Sequence, residues 1–239
     1  MVILIIPAII LLLAFTLAVG KLVCMKIRLQ NATDGAAFTA ALWQARGLNV
    51  ISDLNWALTA SIATETVAKK WDFKISKNIA KVQDGAKASF PGVAAFAMYT
   101  NFKTNNGGGA CVPVVTGIAD AKMFSLRVKR GSYLESEYLN KIMPPAPMVK
   151  EQGGFWVEQR KTGPLIRVGG INYPENLVFG GNLLHWKVPM QYAVASAMPL
   201  SSGAVPGEKE YLGGLWLPNY YPKLIPFGIG FPDLTKVLP

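Results

Sequence analysis

The sequence predicts an α+β protein: a long N-terminal hydrophobic helix and a helical hairpin, followed by a small antiparallel β-rich head. Three observations carry that expectation. The first twenty residues, MVILIIPAIILLLAFTLAVG, hold no charged side chain. No proline stands between Pro7 and Pro91, in a chain that has 16. Beyond Gly109, proline and glycine recur among short runs of β-branched and aromatic residues. Composition therefore divides the chain into an apolar membrane or filament-core helix (1–25), a helical stalk and hairpin (26–104), and a Pro/Gly-rich β head (105–239).

The leading segment must be covered. At about 1.5 Å per residue, about 20 apolar residues match the hydrocarbon thickness of a bilayer. Its Ile, Leu, Val and Phe side chains expose too much apolar area for water, so lipid, a protein filament core, or one and then the other must bury it. A cleaved secretory signal would carry a basic stretch before a shorter apolar run. Here no Lys or Arg precedes Val2, and the apolar run flows directly into a helical pattern. A plain membrane anchor meets a different objection. Lys21, Lys26 and Arg28 follow the segment and the first acid is Asp34, a pattern that holds the following domain in the cytoplasm. The conflict disappears if a basic leader is removed, as in processed pilins, whose mature chains begin at the apolar helix. Pro7 either kinks this helix or begins it.

After Lys21, apolar residues recur at Ile27, Leu29, Ala32, Ala36, Ala40, Trp43, Leu48, Ile51, Leu54, Leu58 and Ile62, the spacing of an amphipathic helix. Unbroken to about Lys70, that helix spans roughly 100 Å. Its alanines favour the helical state and close approach of a neighbour. Asn31, Gly35 and Gly47 are its candidate weak points. A second helix is expected from about 73 to 89, with Ile75, Ile79, Val82 and Ala86 on one face. Pro91 would open a third, carrying Val93, Phe96, Ala97 and Phe102. The run Asn105, Asn106, Gly107, Gly108, Gly109 marks a loop and reads as a flexible tip. Short strands are expected at 123–128, 155–159, 165–168 and 192–197. FWVEQRKTGPLIRV reads as a hairpin turning at Lys161, Thr162 and Gly163. PPAP at 144–147 should be extended.

The chain is 51% hydrophobic and 16% charged, against about 25% charged in ordinary soluble domains, so its remaining surface is expected to bury itself against neighbours. Its net charge of +10 is scattered, dense only around Arg127, Lys129 and Arg130. Nucleic-acid binding needs a stripe or cluster of cations, so the charge points instead to acidic surfaces or polymers. The two cysteines, Cys24 and Cys111, form no C-x-x-C. A cysteine zinc site, a thioredoxin-type motif and C-x-x-C-H haem attachment are thereby excluded, and with the last a multihaem conductive filament. Cys24 reads as a small buried hydrophobe, with a Cys24–Cys111 disulfide as the alternative in an oxidising compartment.

No catalytic, cofactor-binding or metal-ligating set is expected. His185 is the only histidine, which rules out a multi-histidine zinc site, and it reads as a strand residue beside Trp186. Glu135 and Glu137 have the spacing of a carboxylate pair on one strand face, yet read better as a solvated charge cluster. Gly107 to Gly109 lack the Lys-Ser/Thr ending of a phosphate loop. Asp34 is the costly acid, expected to pair with Arg28 or with a base of a neighbouring subunit. The aromatic C-terminus (Trp216, Tyr220, Tyr221, Phe227, Phe231) reads as a core or inter-subunit patch, with a ligand platform as the alternative.

The segment KIRLQNATDGAAFTAALWQARGLNVI resembles the TadE/TadG-like family of tight-adherence (Flp-type) pilus proteins. Arg28, Leu29, Gln30, Asn31, Ala32, Asp34, Ala36 and Ala37 stand at the positions of that family's R-L-Q-N-A-A-D-A-A-A pattern. YAVASAMPL and LWLPNYYPKLIPF, the latter with Leu215, Trp216 and Pro218, resemble patterns of related pilin-like proteins. The resemblance implies a surface-displayed, pilin-like structural subunit that polymerises with copies of itself. Its further implied partners are a prepilin peptidase, a dedicated assembly machinery and, before assembly, the inner membrane. Type IV pilins commonly carry Glu at the fifth mature position, whereas this chain has Ile5. Registration of subunits would then fall to shape, to Pro7 or to Lys21, Lys26, Arg28 and Asp34, with Ile5, Leu11 and Phe15 in the filament core. The same resemblance leaves open a monomeric, inner-membrane-anchored assembly protein with a periplasmic domain.

Overall fold

The computed structural model describes residues 2–68, 74–106, 108–114, 123–126, 128–131, 155–158, 165–179, 184–201 and 220–225. Helix α1 (Val2–Val67) runs 66 residues, about 100 Å, with Pro7 inside it and no break at Asn31, Gly35 or Gly47. Helix α2 (Lys74–Asn106) returns along it. The antiparallel sense follows from the contacts. Glu65 meets Ile75 and Ser76, Asn55 accepts from Gln83 at 2.8 Å, Gly47 faces Phe90, and Gly35 faces Asn101.

Several local expectations change. Gly35 and Gly47 are points of closest helix approach, not weak points. A methyl on Gly35 would lie 2.9 Å from Asn101 Oδ1, and one on Gly47 would lie 2.8 Å from Phe90 Cγ. Pro91 lies inside α2 instead of opening a third helix. Its missing N–H frees one carbonyl, but α2 is held to α1 on both sides of it, by Gln83 before and by Ala94, Met98 and Phe102 after. Of the apolar face expected in the first half of α2, Ile75 and Val82 are 56% and 58% accessible and Ile79 and Ala86 are half-buried, while Ser76 and Gln83 turn inward. Polar partners on α1 (Ser61, Asn55 and Glu65) draw the polar side of α2 in. Together with Val93 and Phe96, these exposed residues form an apolar stripe along α2.

The sheet is four-stranded and antiparallel, in the order β1 (Ala110–Pro113), β4 (Ile166–Asn172), β7 (Gln191–Ser201), β8 (Tyr220–Ile225). Two further antiparallel pairs join β2 (Val128–Gly131) to β3 (Phe155–Glu158) and β5 (Glu175–Phe179) to β6 (Leu184–Val188). The expected β3–β4 hairpin is thus absent: β3 pairs with β2, and β4 lies between β1 and β7. A local turn signal yields here to apolar matching. Among the described residues of the run expected as a strand at 123–128, only Val128 is in one; Met123 sits in a turn and Leu126 just after it, and both plug the helix cores. The PPAP stretch, the 161–163 turn and Glu135 and Glu137 lie outside the described residues.

The core explains the arrangement. Cys111, Ile166, Val168, Ala193, Ala195 and Ala197 come from one sheet face and meet Leu29, Ala32, Ala36, Ala37, Ala40 and Ala41 of α1, with Met98 and Phe102 of α2. Small residues on both sides let the sheet lie close on the helix. Gly170 marks the closest point: a methyl there would collide with Thr33 Oγ1 and lie 2.8 Å from Phe102 Cε2. Both cysteines are free, Cys24 exposed rather than buried and Cys111 buried, so no disulfide joins them. Burial pushes the Cys111 thiol up to about 12. Gly109, with φ 83°, packs tightly on Ile171 and Asn172 where the chain leaves α2, which is not the behaviour of a flexible tip.

Candidate membrane and assembly surface

β7 runs beside α1 in the same direction. Gln191 Nε2 donates to the Leu22 carbonyl at 3.5 Å, Lys26 Nζ to the Tyr192 carbonyl, and Gln30 Nε2 to the Val194 carbonyl at 3.2 Å. The described sheet therefore ends level with Leu22, where the charged part of α1 begins. On the other side of that level, residues 2–21 run for about 30 Å, a match to bilayer hydrocarbon.

The surface of this rod is apolar on every side. Ile5, Leu11 and Phe15 are 54%, 58% and 55% accessible, and Ile6, Ile9, Ile10, Leu12, Leu13, Leu17 and Val19 are exposed with them. Among side chains 5–28 only Ala18 is buried, within a partly shielded line formed by Ala14, Ala18, Leu22 and Met25. Thr16, the one polar side chain in the first twenty residues, donates its hydroxyl to the Leu12 carbonyl, which satisfies it inside an apolar surrounding. By length and composition the segment is able to cross a membrane.

The collar above the rod divides into charges used within the chain and charges left outward. Lys26 is engaged by Tyr192, and Asp34 accepts from Gln30 at 2.9 Å instead of pairing with Arg28. Lys21 and Arg28 are exposed. Arg28 and Asn31, with Cys24, Ile27, Ala32 and Asn105, line an open cavity of about 440 Å³ between α1 and the end of α2. The motif residues thus have internal work: Leu29 and Ala32 are core, Gln30 ties the helix to β7, and Asn31 faces the cavity. Leu215, Trp216 and Pro218 lie outside the described residues.

Sequence reasoning missed Glu65. This buried carboxylate at the end of α1 accepts from the Ile75 N–H at 2.9 Å, the Ser76 N–H at 3.4 Å and the Ser76 hydroxyl. It caps the start of α2, where backbone donors have no helical acceptor and the helix dipole favours an anion. Its signal in the sequence, one acid between two threonines nine positions before a helix, carries little information without the turn. Among the described residues no group of three His, Cys, Asp or Glu side chains converges as a metal site would require. His185 lies on β6 opposite Val178.

No family model matches the chain, and neither a curated protein nor a solved structure is found to match it.

Proposed function

We propose that the chain is a pilin-like structural subunit of TadE/TadG-like type, held in the inner membrane by its apolar rod and then polymerised through that rod into an extracellular filament. One observation carries the reading: about 30 Å of all-round apolar helix continues without a break into a helix whose other half is clad by α2 and the sheet. A rigid joint of this kind turns burial of the rod into a fixed placement of the head. Transfer of the rod from lipid to a bundle of like rods keeps its apolar area out of water, worth about 25 cal/mol per Å² at either stage. The motif from Arg28 to Ala37 supports the family assignment, and prepilin peptidase and assembly machinery follow from it as partners.

A second reading keeps the anchor and drops the polymer: a monomeric inner-membrane protein that assists pilus assembly from the periplasm. What favours it is that the first twenty residues hold no charge with which the rod could register a neighbour. Negative-stain microscopy and immunolabelling of sheared cell-surface material separate the two. The filament reading expects labelled fibres; recovery of the chain solely in membrane fractions contradicts it.

A further inference from the structure

Each helix of the hairpin keeps one side uncovered. On α1, Arg46, Asp53, Ala60 and Val67 stand seven apart and are exposed, as are Phe38 and Trp56, 38% and 44% accessible. Phe38 and Trp56 are separated by five helical turns, so they lie on one line along α1, about 27 Å from each other. On α2 the outer side carries Ile75, Val82, Val93, Phe96 and Tyr99, between 38% and 71% accessible. A helix side that faces water is ordinarily polar. Here α2 turns Ser76 and Gln83 inward and its apolar stripe outward.

The two sides differ in charge. α2 has five lysines, Lys74, Lys77, Lys81, Lys87 and Lys103, against the single acid Asp84. Of the three acids of α1, Asp34 is held by Gln30 and Glu65 by the start of α2, which leaves Asp53 as the exposed one. The cation on the same side, Arg46, is held over the Trp43 ring at 4.8 Å. Lysines on both partners disfavour α2 against α2, whereas Asp53 attracts the lysines of α2. The sides also match in height. Contacts within the chain set Asn55 level with Gln83 and Gly35 level with Asn101. Asp53 and Trp56 are thus level with Gly85 and Val82, and Phe38 with Met98, between Phe96 and Tyr99. Lys81 is one turn from Gly85, about 6 Å along the axis and within reach of its own side chain. A methyl added at Gly85 would meet nothing within 4 Å, so a neighbouring indole has room there.

We infer that the outer side of α1 in one copy docks on the outer side of α2 in a second copy of this chain, the two standing at the same height. The inference rests on the membrane-held stage of the proposed function, because rods in one bilayer hold neighbouring copies level. In that arrangement Trp56 packs on Val82 beside Gly85, Asp53 meets Lys81, and Phe38 joins Phe96 and Tyr99 in an aromatic cluster. Burial of these apolar side chains supplies the attraction. The exposed charge pair adds little affinity, but it selects α2 over a second α1 as the partner. Each copy offers different sides to its two neighbours, so the contact is head-to-tail and repeats from copy to copy. It gives a rod without charges the lateral registration that its own side chains do not supply.

Disulfide trapping of the full chain in membranes of the native cell tests this. Ala60 and Asn78 are exposed, stand at one height on the two sides, and lie outside the pairs just named. In a Cys24→Ser background, Ala60→Cys combined with Asn78→Cys should give disulfide-linked dimers, trimers and higher multimers on oxidation. Either substitution alone should stay monomeric. Asp53→Lys should cut the multimers several-fold, and Lys81→Asp added to it should restore them. Absence of multimers from the 60/78 pair overturns the inference, and labelled fibres in sheared surface material from the same cells then leave the filament reading standing. Equal crosslinking by the single variants overturns it as well, since like sides would be meeting. So does a loss at Asp53→Lys that Lys81→Asp leaves unrepaired. A chain missing from the membrane fraction removes the anchor and the inference together.

Discussion

At Gly170 a strand passes within methyl distance of Thr33 and Phe102, so the side chain it lacks decides how closely sheet and helices approach. Gly170→Val should lower stability by about 1–3 kcal/mol through overpacking, measured as a fall in the urea midpoint at unchanged slope. The two thiols give a second test at this scale. Cys24 is exposed and Cys111 is buried, its thiol pushed up to about 12 from an ordinary 9.0. A maleimide at pH 8 should modify Cys24 in the folded chain and reach Cys111 only after denaturant is added; equal rates would contradict the core. The sign of the pH effect follows from the same burial. Above pH 9 an unfolded thiol loses a proton that the folded thiol keeps, so Cys111 should make the protein less stable as pH climbs from about 9 toward 12.

Among the elements, legibility tracked how local the cause was. The rod and the unbroken α1 are readable because apolar content and the absence of proline act along a single segment. The inner face of α2 is not, because Ser76 and Gln83 turn inward only when Ser61, Glu65 and Asn55 of α1 are there to meet them. Strand positions at 155–158, 166–168 and 192–197 are legible from β-type runs, but their pairing is not. The turn-like K-T-G suggests a β3–β4 hairpin, whereas β4 is drawn between β1 and β7 because its helix-facing positions match the alanines of β7 over the alanines of α1. Of the candidate surface, the rod and the motif residues are readable, while the internal use of Lys26 and Asp34 depends on contacts with Tyr192 and with Gln30. The helical hairpin offers its own test. Glu65→Ala leaves the Ile75 N–H and the Ser76 groups without their acceptor, and should cost about 1–2 kcal/mol, while Glu65→Gln restores part of that. Hydrogen exchange at the first turn of α2 should quicken in the alanine variant and leave β7 unchanged.

For the whole molecule, the essential geometry is one helix serving two surroundings. From Leu29 onward α1 is the spine of a folded body, with α2 on one side and a sheet of small residues on the other. Before Lys21 the same helix has an apolar surface that is exposed at Ile5, Ile6, Ile9 to Leu13, Leu17 and Val19 and shielded along the line at Ala14 and Ala18. The body fixes the rod's direction, and the rod's need for cover decides where the body goes. Cysteine crosslinking in the rod tests this most directly. Leu11→Cys, in a Cys24→Ser background, is expressed in the native cell, oxidised, and recovered from sheared surface material. The account predicts disulfide-linked ladders of this chain in that extracellular fraction, through the position at 11. A variant that stays monomeric after oxidation and is confined to the membrane fraction would contradict it.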